Sequence, residues 1–343
     1  MAADPECLFS FHSGAIQGLD VSKKSHLMAT TTLDRSVRVF DFVANKELIT
    51  TRFNQGGTAL GWAPPMVNQS GGLLVTGFED GVVRLLELYN PQKLQGAAER
   101  SPETDAQLRL RQAFKPHNAP VSAVAYDRSG EILATGSSDG TVWFFTVGEW
   151  YNPIGYIHVP GPVKALDWSP NSHSESRLLI LCHSGHVVEV YSPDPGAQES
   201  SKTFKLHNLP RRSFRFQSIK SRIKREEEVK RRQAAKEKKM KERAERFKEI
   251  REEGIVFLEE EEEEEKELPP ICFPNPPSPL CCGFYSQPGQ FWLSMGGFDA
   301  GFLYHCKLSE DQDEVPLQRQ DEPFAFRHIS DADDNPICSM TFR

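Results

Sequence analysis

Two histidine–aspartate pairs are the residues in this sequence whose types and spacing could do chemistry. His12 precedes Asp34 by 22 residues, and His117 precedes Asp139 by the same 22. A carboxylate that orients an imidazole is part of many catalytic sites. However, the chain contains no GxSxG, no HExxH and no glycine-rich phosphate loop to complete such a site. The pairs therefore have to be interpreted through the elements that carry them.

A signature of strand residues spaced i, i+3, i+5 recurs along the chain. The neighbouring copies that begin at Val121 and Val163 start 42 residues apart. A repeat of roughly 40–45 residues with short strands predicts four-stranded propeller blades. The copies are Ile16/Leu19/Val21, Gly57/Leu60/Trp62, Val121/Val124/Tyr126, Val163/Leu166/Trp168, Leu280/Gly283/Tyr285 and Ile337/Met340/Phe342.

Each of the first five signatures is followed by a tight turn between two apolar runs, which is a hairpin signal. Most of these turns contain an aspartate, whereas the copy at Ser184-Gly185 lacks it. The combination of a histidine, a turn aspartate and an aromatic residue such as Phe40 or Phe145 resembles WD repeats. That resemblance implies an all-β, WD40-type β-propeller. It also implies that six residues are structural blade turns: His12, Asp34, Asp80, His117, Asp139 and Asp299.

The repeats predict about five blades plus partial ends. We expect blades over residues 1–207, a charged helical insertion over 208–270, and a further blade with the start of another over 271–343. The segment Glu6–His12 resembles an outer strand, and Pro336–Phe342 resembles a first strand. The sequence thus predicts a segment of a longer protein, whose open sheet edges would promote self-association.

Composition indicates a cytoplasmic scaffold. The net charge is −8, and no apolar run approaches the roughly 18 residues needed to span a bilayer. The seven cysteines form no CxxC pair, which favours a reducing compartment and buried structural thiols. Metal binding by Cys272 with Cys281 and Cys282 is the alternative. We expect no enzyme activity, no resident metal and no cofactor.

The insertion contains two blocks of opposite charge. Arg211–Arg251 has a net charge of +11, and Glu252–Glu267 has a net charge of −9. The basic block lacks glycine and proline and contains several Glu-to-cation pairs at i, i+4, including Glu228/Arg232 and Glu242/Arg246. It predicts a helix over residues 218–253, about 50 Å long.

This helix is the candidate partner-binding element. Three interpretations remain open: a solvated helix, a helix docked on an acidic partner, and a phosphate-binding surface for nucleic acid. Nucleic acid is not favoured, because the chain outside the insertion is acidic and few aromatic residues are available for base stacking. The candidate residues are Arg211, Arg212, Arg215, Lys220, Lys236, Lys238, Lys239 and Lys241.

Two stretches, Arg212–Ser221 and His158–Pro170, resemble large WD-repeat cilia- and flagella-associated proteins of the tether and tether-head type. The resemblance implies a non-catalytic protein of the ciliary or flagellar axoneme that anchors inner-arm dynein to doublet microtubules for motility. The implied partners are axonemal proteins, namely inner-arm dynein, tubulin and a sister WD-repeat tether subunit, with no membrane. A generic intracellular WD-repeat adaptor for complex assembly is the alternative.

Overall fold

The computed structural model describes residues 7, 12–89, 106–170, 175–196, 203–216, 218–252, 270–272, 278–287, 290–308, 324–331, 337 and 339–340. The described residues form five four-stranded antiparallel sheets, each built from four strands in chain order. All five signatures that were assigned to complete units lie on first strands of these sheets. The predicted all-β WD40-type propeller architecture is confirmed.

The strand bounds are as follows. The first blade contains β1 Ile16–Val21, β2 Leu27–Thr32, β3 Ser36–Asp41 and β4 Lys46–Arg52. The second contains β5 Gly57–Trp62, β6 Leu73–Phe78, β7 Val83–Tyr89 and β8 Gln107–Phe114. The third contains β9 Val121–Tyr126, β10 Ile132–Ser137, β11 Thr141–Thr146 and β12 Asn152–His158. The fourth contains β13 Val163–Trp168, β14 Arg177–Cys182, β15 His186–Tyr191 and β16 Arg211–Arg215. The fifth contains β17 Leu280–Gln287, β18 Gln290–Met295, β19 Phe302–Leu308 and β20 Phe324–Asp331.

Successive blades pack face to face through apolar residues. One core cluster joins Val37 and Val39 of the first blade to Leu74 and Leu86 of the second. Three further clusters repeat this arrangement between the second and third, third and fourth, and fourth and fifth blades. The core is therefore distributed between the blades, because each sheet can bury its faces only against its neighbours.

The loops that connect the strands lie at two opposite ends of the sheets. Since the strands are antiparallel and follow chain order, the hairpins between second and third strands lie at the same end as the links between blades. We call this end the Asp-turn face, because it carries the turns at Asp34 and Asp139. The insertion between β16 and β17 leaves from this face.

The insertion forms helix α1, Ile219–Glu252. Its 34 residues span about 51 Å, so the predicted helix is confirmed within one residue at each end. The predicted start of the insertion at residue 208 needs correction. Arg211–Arg215 is β16, which pairs with β15 and completes the fourth blade.

Several predictions fall wholly or partly outside the described residues. They are the outer strand Glu6–His12, apart from Cys7 and His12, the acidic run Glu259–Glu265, and most of Pro336–Phe342. Of the sixth signature, Ile337 and Met340 are described. The Ile337 carbonyl accepts hydrogen bonds from Ser294 Oγ at 2.7 Å and Cys282 Sγ at 3.3 Å. In the part of the chain that the structure covers, no helix is long and apolar enough to cross a membrane.

Candidate functional site: blade turns and the anchored helix

The His117–Asp139 pair is a hydrogen-bonded link inside the third blade. His117 Nε2 lies 2.9 Å from Thr135 Oγ1, and His117 Nδ1 lies 2.8 Å from Thr141 Oγ1. The Asp139 carboxylate accepts the backbone N–H of Asn118 at 2.9 Å and that of Thr141 at 2.9 Å. The network joins the link before β9 to strand β10 and to the turn that starts β11.

Burial sets the protonation states of this pair. The fully buried imidazole of His117 has its pKa lowered to about 4, because burial disfavours the charged form more than nearby Asp139 favours it. The pKa of Asp139 is lowered: burial acts against this shift, and hydrogen bonds from Thr141 and Asn118 outweigh it. At neutral pH the pair is a neutral histidine beside a carboxylate that accepts hydrogen bonds.

The first blade repeats this link between His12 and Asp34. His12 Nε2 lies 2.7 Å from Thr30 Oγ1, and its Nδ1 lies 3.4 Å from Asp34 Oδ2. Asp34 also accepts the backbone N–H of Ser36 at 2.9 Å and that of Ser13 at 3.2 Å. The pKa of Asp34 is lowered because hydrogen bonds from Ser36, Thr32 and Ser13 outweigh the effect of burial.

The second blade distributes the same bonds over two residues. Asp80 accepts the backbone N–H of Val82 at 3.1 Å and so closes its own turn. The bond from the preceding link comes from the Gly56 N–H and ends on Glu79 Oε2, at 3.0 Å. Sequence reasoning did not single out Glu79. Its position just before the turn aspartate, 23 residues after Gly56, is the signal that could have found it.

Asp299 binds both the base of helix α1 and the link before its own blade. It lies in a 3-10 helix, Gly297–Asp299, and its side chain is fully buried. One carboxylate oxygen accepts the Ser278 hydroxyl, which comes from the link before β17. The other accepts the backbone N–H of Lys220 at 2.8 Å and lies 3.4 Å from Ser218 Oγ. Asp299 therefore satisfies one of the donors at the start of the helix that have no partner within it.

Further contacts fix the first turns of the helix. Ser218 caps it, since its Oγ accepts the Ser221 N–H at 3.2 Å. Lys220 Nζ lies 3.5 Å from the Ala300 carbonyl oxygen, and Lys224 Nζ lies 5.3 Å from the centre of the Phe298 ring. Ile223 packs against the core between the fourth and fifth blades. The base of α1 is thus bound to the propeller on the Asp-turn face.

The eight predicted partner-binding residues separate into two groups. Arg211, Arg212 and Arg215 lie in β16, where Arg211 Nη1 donates to the His158 carbonyl at 3.0 Å. Lys220 lies at the anchored base, half-buried. The structure does not bring these four onto the projecting part of the helix. Lys236, Lys238, Lys239 and Lys241 do lie there, and all four are exposed.

Sequence reasoning also missed a set of hydrogen bonds between blades. Trp62 donates its backbone N–H to Asp20 Oδ2 at 2.8 Å and its indole N–H to the Asp20 carbonyl at 3.1 Å. Tyr285 repeats the first bond, to Asp167 Oδ2 at 2.8 Å. In each case the aspartate follows the middle residue of one signature, and its donor is the last residue of the next blade's signature. This regular spacing between the aspartate and the last signature residue of the next blade could have predicted the bonds from sequence.

The alternative metal site at the cysteines finds no support in the geometry. Among the described residues, no group of three or more His, Cys, Asp or Glu side chains could hold a metal ion. Cys272 is exposed, whereas Cys282 is buried and its thiol lies 3.0 Å from Ser294 Oγ. The two cysteines therefore occupy different surroundings.

The fold and its blade turns define a WD-repeat β-propeller protein. The family model for the WD domain, G-beta repeat matches residues 4–41 and 108–146. These two ranges contain the two His–Asp pairs, which fits their structural position in the first and third blades.

Within that class, the chain is similar to cilia- and flagella-associated WD-repeat proteins. It is 49% identical to mouse (Mus musculus) cilia- and flagella-associated protein 44 over 352 residues, or 99% of this chain and 19% of the mouse protein. It is 28% identical to cilia- and flagella-associated protein 43 of Chlamydomonas reinhardtii over 51% of this chain and 10% of that protein. It is 30% identical to protein 44 of the same alga over 40% of this chain and 7% of the relative. The chain therefore spans less than a fifth of the length of each relative.

Proposed function

We propose that this chain is part of a non-catalytic scaffold of the ciliary or flagellar axoneme that tethers inner-arm dynein to doublet microtubules. Motility of cilia and of the sperm flagellum would depend on that tether. The observation that carries the proposal is the 49% identity to mouse cilia- and flagella-associated protein 44, which extends over 99% of the chain.

The blade turns support a non-catalytic role. The His117 ring nitrogens both lie within hydrogen-bond distance of threonine hydroxyls in the blade, and the Asp139 carboxylate is occupied by donors from Asn118 and Thr141. A general base has to reach a substrate proton in addition to any group that orients it. In this pair, the polar atoms hold strands together.

The anchored helix supports a role in attachment to other proteins. A propeller provides a rigid frame, and α1 extends from its Asp-turn face as a basic arm. Candidate partners are inner-arm dynein, tubulin and a sister WD-repeat tether subunit. Lys236, Lys238, Lys239 and Lys241 are the proposed contact residues, because they lie on the exposed part of the arm.

Cell fractionation tests the proposal. Ciliated cells are separated into demembranated axonemes, nuclei and cytosol, and the protein is located by immunoblotting. We expect it in the axonemal fraction after detergent extraction. Recovery only in the cytosol would contradict the proposal and favour a generic WD-repeat adaptor. Recovery in nuclei, with release by nuclease, would favour the nucleic-acid alternative.

A further inference from the structure

The outer part of helix α1 is exposed on all sides. Every residue from Gln233 to Lys248 is exposed, in contrast to Ser221 and Ile223 at the base. Isolated helices of moderate length are marginal in water, and a helix that is polar all round depends on its own ion pairs. The Lys238–Glu242 pair, with an N–O distance of 3.8 Å, is solvent-exposed and contributes little. A partner that packs along this segment would stabilise it.

Three large apolar side chains lie in one line along this helix. Val229 is 37% exposed, Met240 is 65% exposed and Phe247 is 40% exposed. Their spacings of 11 and 7 residues are close to three and two helical turns, so the three positions lie within about 20° of one another around the axis. The line is about 27 Å long at 1.5 Å per residue.

Two basic residues interrupt this line on the same face. Lys236 follows Val229 by seven residues, and Arg243 follows Lys236 by seven. Together, Val229, Lys236, Met240, Arg243 and Phe247 form what we call the basic seam. Its alternating steps of three, four and seven residues match the contact positions of a coiled coil, in which a charged residue at the seam selects the partner.

We propose that the basic seam docks against an acidic amphipathic α-helix of a partner protein. The partner's apolar side chains would cover Val229, Met240 and Phe247. Its glutamates or aspartates would face Lys236 and Arg243, because a cation buried in a helix–helix contact has to be paired. This deepens the proposed function by naming the chemistry of the attached partner.

The apolar line favours a helix over other polyanions. A disordered acidic tail or a nucleic-acid backbone would neutralise Lys236 and Arg243 but would leave Met240 and Phe247 in water. A helix can present apolar residues at the matching spacing along the whole line.

Photocrosslinking tests the proposal. The photoreactive residue p-benzoylphenylalanine replaces Met240 in the full chain, and Glu245, an exposed residue on the opposite face, in a control. Crosslinks are formed in demembranated axonemes and in whole-cell lysate, and crosslinked peptides are mapped by mass spectrometry. We expect Met240 to give several-fold more crosslink than Glu245, to a segment with acidic residues and apolar residues at heptad spacing.

Charge reversal provides the matched control. Lys236→Glu with Arg243→Glu changes the seam, and Arg231→Glu with Lys248→Glu makes the same charge change away from the seam. We expect the first pair to abolish the Met240 crosslink and the second to leave most of it, with equal thermal midpoints of the propeller.

Other outcomes would overturn the proposal. They are equal crosslinking from both faces, equal loss with both charge reversals, absence of any Met240 crosslink, and crosslinks to tubulin's acidic tail or to nucleic acid. A protein absent from axonemes that still gives the expected crosslinks in lysate would refute only the axonemal tether. The two proposals can therefore fail separately.

Discussion

At the scale of single residues, the blades are stabilised by carboxylates that each accept several hydrogen bonds. Asp139 receives the N–H groups of Asn118 and Thr141, and Asp34 receives those of Ser13 and Ser36. A carboxylate that accepts several N–H and O–H bonds is stabilised in its charged form. Asp34 and Asp139 therefore each join the link before their blade to the hairpin within it.

Removal of this acceptor should destabilise the propeller. Asp139→Ala leaves the N–H groups of Asn118 and Thr141 and the Thr141 hydroxyl without their acceptor. We expect a loss of about 1–3 kcal/mol in the free energy of unfolding, measured by chemical denaturation. Asp194→Ala, at an exposed turn where the side chain accepts only the Gly196 N–H among its described bonds, is the control and should change stability far less. Unchanged stability of Asp139→Ala would contradict the structural role.

The buried imidazole of His117 should make stability fall in acid. Its pKa is about 4 in the folded protein, against an ordinary value of 6.5. The unfolded chain thus binds a proton that the folded chain does not, and the free energy of unfolding decreases as pH falls from about 6.5 to 4. The full difference is roughly 3 kcal/mol.

The pH effect has to be measured as a difference between two proteins. Burial raises the pKa of Asp167 to about 6, so that residue favours the folded state as pH falls over the same range. Comparison of wild type with His117→Gln cancels this common contribution. We expect the wild type to lose more stability than the variant between pH 6.5 and 4. Parallel pH profiles would show that His117 is not held neutral.

At the scale of elements, helix α1 could be predicted from sequence because its causes are local. The absence of glycine and proline and the glutamate–cation spacing gave its bounds within one residue, and the Glu228–Arg232 pair forms at 3.0 Å. Strand β16 was missed because its arginine-rich sequence resembles the helix that follows. Its pairing with β15 depends on backbone bonds across the blade.

The anchor of the helix could not be predicted for a different reason. Asp299 accepts a hydrogen bond from the Lys220 N–H, 79 residues away in the chain. No local sequence pattern predicts such a contact. The repeat pattern predicts Asp299 as a turn residue, and in the structure it lies in the 3-10 helix Gly297–Asp299 between β18 and β19. Its second role depends on where the insertion re-enters the propeller.

Loss of the Asp299 carboxylate should release the helix base. Asp299→Ala leaves the buried Ser218 and Ser278 hydroxyls without this acceptor. We expect faster hydrogen exchange at the amides of residues 220–225, followed by mass spectrometry, and a loss of about 1–3 kcal/mol in stability. Ser278→Ala keeps the bond to Lys220 and should leave this exchange slow. Unchanged hydrogen exchange in Asp299→Ala would show that the other contacts at the base of α1 hold the helix without Asp299.

At the scale of the whole molecule, the first blade presents an apolar face that the other blades bury. Leu19 of β1 is 54% exposed, whereas its equivalents Val124 and Leu166 are half-buried. Ile16 is 53% exposed, whereas its equivalents Val121 and Val163 are 0% and 2% exposed. Neighbouring blades cover the latter two. An exposed apolar sheet face favours association with another surface.

This face should make the isolated chain self-associate. We expect sedimentation velocity to show concentration-dependent oligomers, and Ile16→Thr with Leu19→Gln to shift them towards monomer. Leu110→Gln, which alters an exposed leucine on the outer strand β8, is the control and should have little effect. A wild-type chain that stays monomeric at all concentrations and unfolds cooperatively would refute this expectation.

This propeller is proposed to bind a partner in the axoneme through its basic arm, helix α1. Crosslinking mass spectrometry on demembranated motile axonemes, with a lysine-reactive reagent, tests it most directly. We predict crosslinks from Lys236, Lys238, Lys239 or Lys241 to inner-arm dynein or to a tether subunit beside it. Detection of the protein in axonemes without any such crosslink from these lysines, or its absence from axonemes, would contradict the account.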